Sequence, residues 1–197
     1  MASPRPDLPE EVRRRRFERV FDSNYARVFS FAIRRTQDRA LAEVIVAETF
    51  LIAWRRLGEL PAEPLPWLFG TARRVLANHV RYTKRRSRHG DTIPLEYLEV
   101  GDPVSSPADQ VADRQAFITA FAAIRAEDRE VLALVGWDGL SSREAAEVLG
   151  CTTTAFSLRL HRARRRLLKK MATYGHSLGE GGEEPRPCQT PDAAEAP

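Results

Sequence analysis

Residues 141–170 read SSREAAEVLGCTTTAFSLRLHRARRRLLKK, and this stretch decides the fold of the C-terminal half of the chain. Ser141 or Ser142 can cap a short helix that ends at Gly150, because serine accepts a bond from the first helical turn and glycine tolerates the left-handed residue after the last. The threonines of CTTT can cap a longer helix from about Thr154. A short helix, a tight turn and a longer basic helix predict a helix-turn-helix, whose second helix enters the major groove of DNA.

The longer helix has one apolar face and one polar face. Phe156, Leu160, Ala163 and Leu167 recur at steps of four, three and four residues, so they predict the buried side. The first two turns of the exposed side are expected to reach base edges, with Arg162 able to pair with a guanine. The exposed side comprises Thr154, Ser157, Leu158, His161, Arg162 and Arg165. Contacts with DNA phosphates are expected from Arg165, Arg166 and Lys169. A basic surface helix without a ligand is the alternative at this point.

The charge of the chain is concentrated in two segments. The formal net charge is only +4 over 197 residues, with a pI of about 9.4. Residues 64–90 and 148–179 nevertheless contain no Asp or Glu and seven Lys or Arg each. Such segments are typical of surfaces that bind a polyanion.

The N-terminal half predicts three helices around one apolar core. The first helix is indicated by apolar residues at helical spacing from Phe17, with a possible break at residues 22–24. A second helix is expected from Asp38 and a third from about Trp67. The fold class is therefore all-α, with two small helical domains joined by a flexible linker. The predicted boundaries are an N-terminal arm over 1–16, a first domain over 17–88, a linker over 89–112, a second domain over 113–172 and an acidic tail over 173–197, which its composition predicts to be disordered.

Other function classes lack support in the sequence. No apolar run approaches the roughly 18 residues of a membrane span, so we expect no membrane insertion and a soluble, cytoplasmic protein. Cys151 and Cys188 are the two cysteines, too few for a disulfide framework or a four-cysteine metal site. The four histidines have no metal-ligand spacing, and no phosphate-binding glycine loop or nucleophile elbow is present. We therefore expect no catalytic residues, no metal and no cofactor.

Three stretches resemble a known protein family, and they occur along the chain in the same order as in that family. AEVIVAETFLIAWRRL (42–57) and PWLFGTARRVLANHVR (66–81) resemble region 2 of the extracytoplasmic-function (ECF) sigma factors of the sigma-70 family. EDREVLALVGWDGLSSREAAEVLGCTTTAFSLRLHRARRRL (127–167) resembles their region 4. The resemblance implies a transcription initiation factor whose partners are core RNA polymerase and promoter DNA, and it allows an anti-sigma factor as a further partner.

The resemblance also implies a role for individual residues. Region 2 would bind core polymerase through Glu43, Glu48, Trp54 and Arg55. It would melt and read the minus-ten element through Trp67, Arg73, Arg74, Asn78 and Arg81. Region 4 would read the minus-thirty-five element through Thr154, Ser157, Arg159, His161, Arg162 and Arg165. The chain departs from the family at Val44, where an Asp is usual, at Ala47 and at Leu158.

Two other interpretations compete with a sigma factor. The stretch SSREAAEVLG would also suit a stand-alone helix-turn-helix regulator that binds duplex DNA as a dimer. Such a regulator would not need the N-terminal block, which favours the sigma factor. An enzyme is disfavoured because the sequence shows no convergent acid, base, nucleophile or metal set.

Overall fold

The computed structural model describes residues 9–86 and 117–173, with the side chains of 83–86 excepted. Helices joined by turns and short loops make up these residues, and no strand is present among them. The prediction of an all-α fold is confirmed. The predicted linker over 89–112 and the tail beyond Thr173 lie outside the described residues. The helices are α1 (Glu10–Thr36), α2 (Arg39–Arg55), α3 (Leu65–Arg86), α4 (helical through residues 117–122), α5 (Ala126–Gly136), α6 (Ser142–Leu149) and α7 (Thr153–Thr173).

Helix α1 is longer and more continuous than the sequence predicted. It starts at Glu10, so residues 10–16 of the predicted N-terminal arm are helical, and it continues through residues 22–24 without a break. The possible break does not form, and the Asn24 side chain donates to the carbonyl of Val20 at 2.8 Å, four residues back in the same helix. Asn24 is therefore buried within the helix and does not cap a new one.

The starts of α2 and α3 agree with the sequence signals to within two residues. Asp38 is extended and its carboxylate accepts from the backbone N–H of Leu41 at 3.1 Å, which is an N-cap. Helix α3 starts at Leu65, two residues before the predicted Trp67. Pro66 is tolerated there because a first-turn residue needs no intrahelical donor.

The helix-turn-helix forms as predicted, and the structure selects Ser141 as the cap of α6. The Ser141 hydroxyl accepts from the N–H of Glu144 at 3.3 Å, and the Glu144 carboxylate accepts from the N–H of Ser141 at 2.8 Å. This capping box lowers the pKa of Glu144, first through the Ser141 side chain and then through its backbone. The box therefore stabilises the fold above the ordinary carboxyl pKa and weakens as pH falls through the lowered one. Gly150 ends α6 at φ 64°, where a side chain would be strained.

The two halves of the chain pack directly on each other. Within the described residues one buried apolar cluster runs from α1, α2 and α3 into α5, α6 and α7. Helix α3 lies on α6, and a Cβ at Gly70 would meet the backbone of Val148 at 3.7 Å. The sequence predicted two domains separated by a linker, each with its own core. Their association depends on contacts between residues far apart in the chain, which local periodicity does not encode.

The capping box gives a first prediction. We expect Ser141→Ala to lower the free energy of unfolding by about 1 kcal/mol, because it removes the acceptor for the N–H of Glu144. Ser142→Ala is the matched control, since its neighbour keeps the cap, and it should change stability by less than half as much. Urea denaturation of both variants measures the difference. Equal losses in the two variants would contradict the assignment of Ser141 as the cap.

Candidate functional site

The exposed face of α7 carries the whole set predicted to read the minus-thirty-five element. Phe156, Leu160 and Ala163 are buried as predicted, whereas Leu167 is only half-buried. The predicted readers all have exposed side chains: Thr154, Ser157, Arg159, His161, Arg162 and Arg165. Thr152, outside the predicted set, accepts from the N–H of Ala155 at 3.2 Å and caps the helix. The basic face of α7 thus stands open to solvent at the helix N-terminus.

Arg166 differs from its neighbours on α7. Its Nη1 donates to both carboxylate oxygens of Asp128 on α5, at 2.8 and 3.0 Å. Asp128 is buried, so this bond satisfies a carboxylate that would otherwise lack a partner away from water. The sequence places Arg166 at a DNA phosphate, and in the structure its guanidinium joins α7 to α5.

Helix α3 presents a second basic face. Arg74, Asn78 and Arg81 follow at steps of four and three residues and are exposed. Arg81 donates to the side chain of Asn78 at 2.7 Å, and Arg74 donates to Thr71 at 3.2 Å. Arg73 lies on another side of the helix, where its Nε is 3.8 Å from Glu130 on α5. The structure therefore brings three of the four polar residues predicted for the minus-ten element onto one face and directs Arg73 toward the C-terminal half.

Two aromatic residues near opposite ends of α3, Trp67 and Tyr82, differ in exposure. Trp67 is half-buried, packs on the apolar core, and lies 5.8 Å from the guanidinium of Arg56. Tyr82, near the other end of α3, is 62% exposed beside Arg81 and Asn78. Sequence reasoning missed Tyr82, although an aromatic residue inside an acid-free basic segment was a usable signal. An aromatic ring able to meet an unpaired base is thus present at the C-terminal end of the helix as well.

Helix α2 exposes an apolar stripe between two carboxylates. Glu43 and Glu48 are about 140° apart around the helix, so they flank a face instead of sharing one. Val44 and Leu51 are 44% and 48% exposed on the face between them. The α2 apolar stripe consists of Ala40, Val44, Ala47 and Leu51. Two of the three departures from the family pattern, Val44 and Ala47, are members of this stripe.

The flanks of the α2 apolar stripe are tied to neighbouring side chains. Glu43 accepts from Arg39 at 3.0 Å, and Glu48 lies 2.9 Å from the Nε2 of His79 on α3. Arg55 is exposed at the end of the helix. Trp54 is half-buried, 5.2 Å from the ring of Phe17, which gives it a packing role between α1 and α2.

Residues 9–86 and 117–173 contain no group of three His, Cys, Asp or Glu side chains arranged to hold a metal ion. Nor does any helix in that part of the chain have the length and hydropathy of a membrane span.

Comparison with known families agrees with this arrangement of helices. The profile of sigma-70 region 2 matches residues 20–86, and the profile of sigma-70 region 4 matches residues 114–167. The chain is 32% identical over 162 residues to the ECF RNA polymerase sigma factor SigL of Mycobacterium tuberculosis, covering 79% of this chain and 89% of SigL. The chain belongs to the ECF sigma factors of the sigma-70 family. These proteins are RNA polymerase sigma factors, which are non-catalytic transcription initiation factors. The interpretation of the chain as a stand-alone helix-turn-helix regulator is therefore set aside.

Other relatives place the similarity in the same two regions. The probable sigma factor RfaY of Xanthomonas campestris is 33% identical over 163 residues, but the chain spans only 41% of its length. SigM of Bacillus subtilis is 29% identical over 141 residues, covering 71% of this chain and 85% of SigM. The similarity to both relatives thus extends over more than two thirds of this chain.

Two solved structures share the fold. The sigma factor RpoE of Bartonella quintana, solved with the anti-sigma factor NepR, has a TM-score of 0.60 and 25% identity, covering 79% of this chain and 96% of that one. CnrH, solved with the cytosolic domain of CnrY, has a TM-score of 0.54 and 21% identity, covering 81% and 90%. The likeness to CnrH concerns the fold alone.

Proposed function

We propose that this chain binds core RNA polymerase through α2, reads the minus-thirty-five promoter element with α7, and opens the minus-ten element with α3. The observation that carries the proposal is the presence of two solvent-exposed basic helices and an exposed apolar stripe in one chain. A duplex-binding regulator requires only the first of the basic helices. A factor that acts with polymerase needs all three surfaces.

The face of α7 supports direct reading of bases. The second helix of a helix-turn-helix presents its N-terminal residues to base edges in the major groove. Thr154, Ser157 and His161 lie in the first turns and supply donors and acceptors of suitable length. Arg162 follows on the same exposed side, where its guanidinium can bond a guanine at two atoms.

The face of α3 supports binding of a melted strand. Arg74 and Arg81 supply positive charge for the phosphates, and Asn78 supplies an amide for a base edge. Tyr82 adds an exposed ring on which an unpaired base can stack. Trp67 borders the same helix about 22 Å away, at about 1.5 Å per residue. We propose that its main contribution is to hold the start of α3 on the core.

The α2 apolar stripe supports docking on a protein partner. Interfaces with large partners have an apolar centre and a polar rim, and the stripe with Glu43 and Glu48 at its edges has this arrangement. Val44 and Ala47, two positions at which the chain departs from the family pattern, therefore enlarge the apolar centre of the proposed polymerase contact.

An anti-sigma factor is a further proposed partner. RpoE of Bartonella quintana was crystallised with the anti-sigma factor NepR and covers the same two regions as this chain. We propose that a comparable protein controls this sigma factor. We further propose that the chain is not an enzyme and works beside the chromosome in the cytoplasm, where core polymerase is found.

We expect Arg162→Ala to reduce discrimination at particular base positions of the upstream element. A bidentate arginine contact contributes about 1–3 kcal/mol of discrimination, equivalent to roughly five- to 150-fold. Selection of holoenzyme-bound promoters from a randomised upstream element measures this. Lys169→Ala is the control, because an expected phosphate contact should weaken all sequences alike. Equal losses at every base for Arg162→Ala would contradict its role as a reader.

We expect Leu51→Asp to weaken binding to core polymerase about tenfold or more. The substitution puts a charge at the centre of the apolar stripe, where truncating a well-buried interface residue often costs about 1–2 kcal/mol. Titration of labelled protein with core enzyme gives the affinity, and circular dichroism confirms that the helices persist. Val12→Asp is the matched control because Val12 is equally exposed, at 47%, but lies on α1. A Leu51→Asp affinity equal to that of the control would place the docking surface elsewhere.

We expect Tyr82→Ala to reduce promoter opening more than Trp67→Phe does. Stacking of one base on an aromatic ring contributes about 1–3 kcal/mol, and Tyr82 is the more exposed ring. Permanganate footprinting of unpaired thymines with and without core enzyme measures opening and tests the proposed function as a whole. A specific, symmetric duplex footprint by the isolated chain, with no opening in either condition, would overturn the proposal in favour of a stand-alone regulator.

A further inference from the structure

We propose that Leu158 is a specificity-determining residue, which selects a thymine in the upstream promoter element by contact with the C5 methyl group of that base. The proposal rests on the proposed function, because it names the base that α7 selects at one position. It concerns a residue at which the chain departs from the family pattern.

Leu158 is an apolar side chain in the middle of a polar surface. It is 49% exposed and points nearly opposite to the buried face of α7, at about 100° per residue. Thr154 and Arg162 lie one turn before it and one turn after it on the same exposed side, with His161 beside them. The centre of the proposed reading face is therefore a group that neither donates nor accepts a hydrogen bond.

The fold gives no reason for a leucine at this position. Within the described residues Leu158 belongs neither to the buried apolar cluster nor to the side chains packed against it. An exposed leucine on a helix gains little free energy on folding, because its surface stays in contact with water. Serine, threonine or a charged residue would serve the fold equally well here.

A single exposed leucine is ordinary on a protein surface, so its position has to carry the argument. Leu168 on the same helix is the ordinary case. It is also 49% exposed, but it lies ten residues further along α7, about 15 Å at about 1.5 Å per residue. Of these two leucines, Leu158 alone lies in the first two turns of α7, which a helix-turn-helix presents to base edges.

The chemistry of the major groove restricts what an apolar side chain can read there. Guanine and adenine present the acceptor N7, and cytosine presents an amino donor, whereas thymine adds a C5 methyl group. A leucine placed against a purine edge would displace water from N7 without replacing the hydrogen bond. Against cytosine it would lack the methyl group as a partner. Thymine is therefore the base that Leu158 fits best.

The position of Leu158 relative to Arg162 predicts where this thymine lies. The two residues are four positions apart on one side of the helix, which is about 6 Å along its axis. Successive base pairs rise by about 3.4 Å. We therefore expect the thymine, on either strand, within about two base pairs of the guanine proposed for Arg162.

Replacement of thymine by uracil tests the proposal, because uracil lacks only the C5 methyl group. The probe is the promoter that the holoenzyme selects from a randomised upstream element. Each thymine of that element is changed to uracil in turn, and the affinity of the holoenzyme is measured. Burial of one methyl group changes an equilibrium about fourfold, so we expect uracil at one position to weaken binding by about that factor.

Two variants assign the uracil effect to a residue. In Leu158→Ala, which keeps a good helix former at the position, we expect thymine and uracil to bind equally well at the sensitive position. Leu168→Ala is the matched control, since Leu168 has the same exposure on the same helix, and it should retain the full uracil effect. Circular dichroism of both variants confirms that the helices persist.

The outcomes separate the role of Leu158 from the proposed function. An upstream element selected without a thymine near the guanine would overturn the role of Leu158 and leave the sigma factor function intact. The same holds for a uracil effect that is absent at every thymine or unchanged in Leu158→Ala. Failure of the holoenzyme to select any upstream sequence would overturn the proposed function and the role of Leu158 with it.

A methylated cytosine provides a second test at the sensitive position. We expect a cytosine·guanine pair there to weaken binding, and 5-methylcytosine in place of the cytosine to recover about fourfold of the loss, because it restores the methyl group. Leu158→Ala should bind the two cytosine probes equally. Equal binding of both probes by the unmodified holoenzyme would overturn the proposed methyl contact.

Discussion

The structure depends on the burial of one guanidinium group. Arg35 lies 3.5 Å above the ring of Phe31, donates to the carbonyl of that residue, and meets carboxylates of Glu130 and Asp138. A charged group can be removed from water only when its donors are satisfied and its charge is balanced. Those requirements fix the position of α5 relative to α1, and with it the contact of α6 on α3.

The parts of the fold that the sequence predicted are those that depend on interactions between residues close together in the chain. The cap at Asp38, the capping box at Ser141 and the glycine at position 150 involve residues within four positions of each other. The helical period of Phe156, Leu160 and Ala163 likewise needs only neighbouring turns. Such features follow from backbone hydrogen bonding and side-chain spacing, so the helix-turn-helix and the start of α2 were predictable.

The parts that the sequence did not predict depend on partners far away in the chain. Arg35 and Asp138 are 103 residues apart, and nothing near either one indicates the other. The same reason explains Arg166, which its neighbours place on a DNA-binding face and Asp128 holds on α5. The different exposure of Trp67 and Tyr82 also required tertiary structure, because burial separates two aromatic residues that look equivalent in sequence.

The contact between region 2 and region 4 depends on arginine side chains paired with anionic groups, as does the proposed binding of DNA. Arg73 can meet either a carboxylate of α5 or a phosphate, and it cannot satisfy both at once. A polyanion therefore competes with Glu130 for the same guanidinium, and added salt screens the exposed pair at Arg73 more than the buried pair at Arg35. The contact between the two regions and the proposed DNA binding are thus linked through a shared cation.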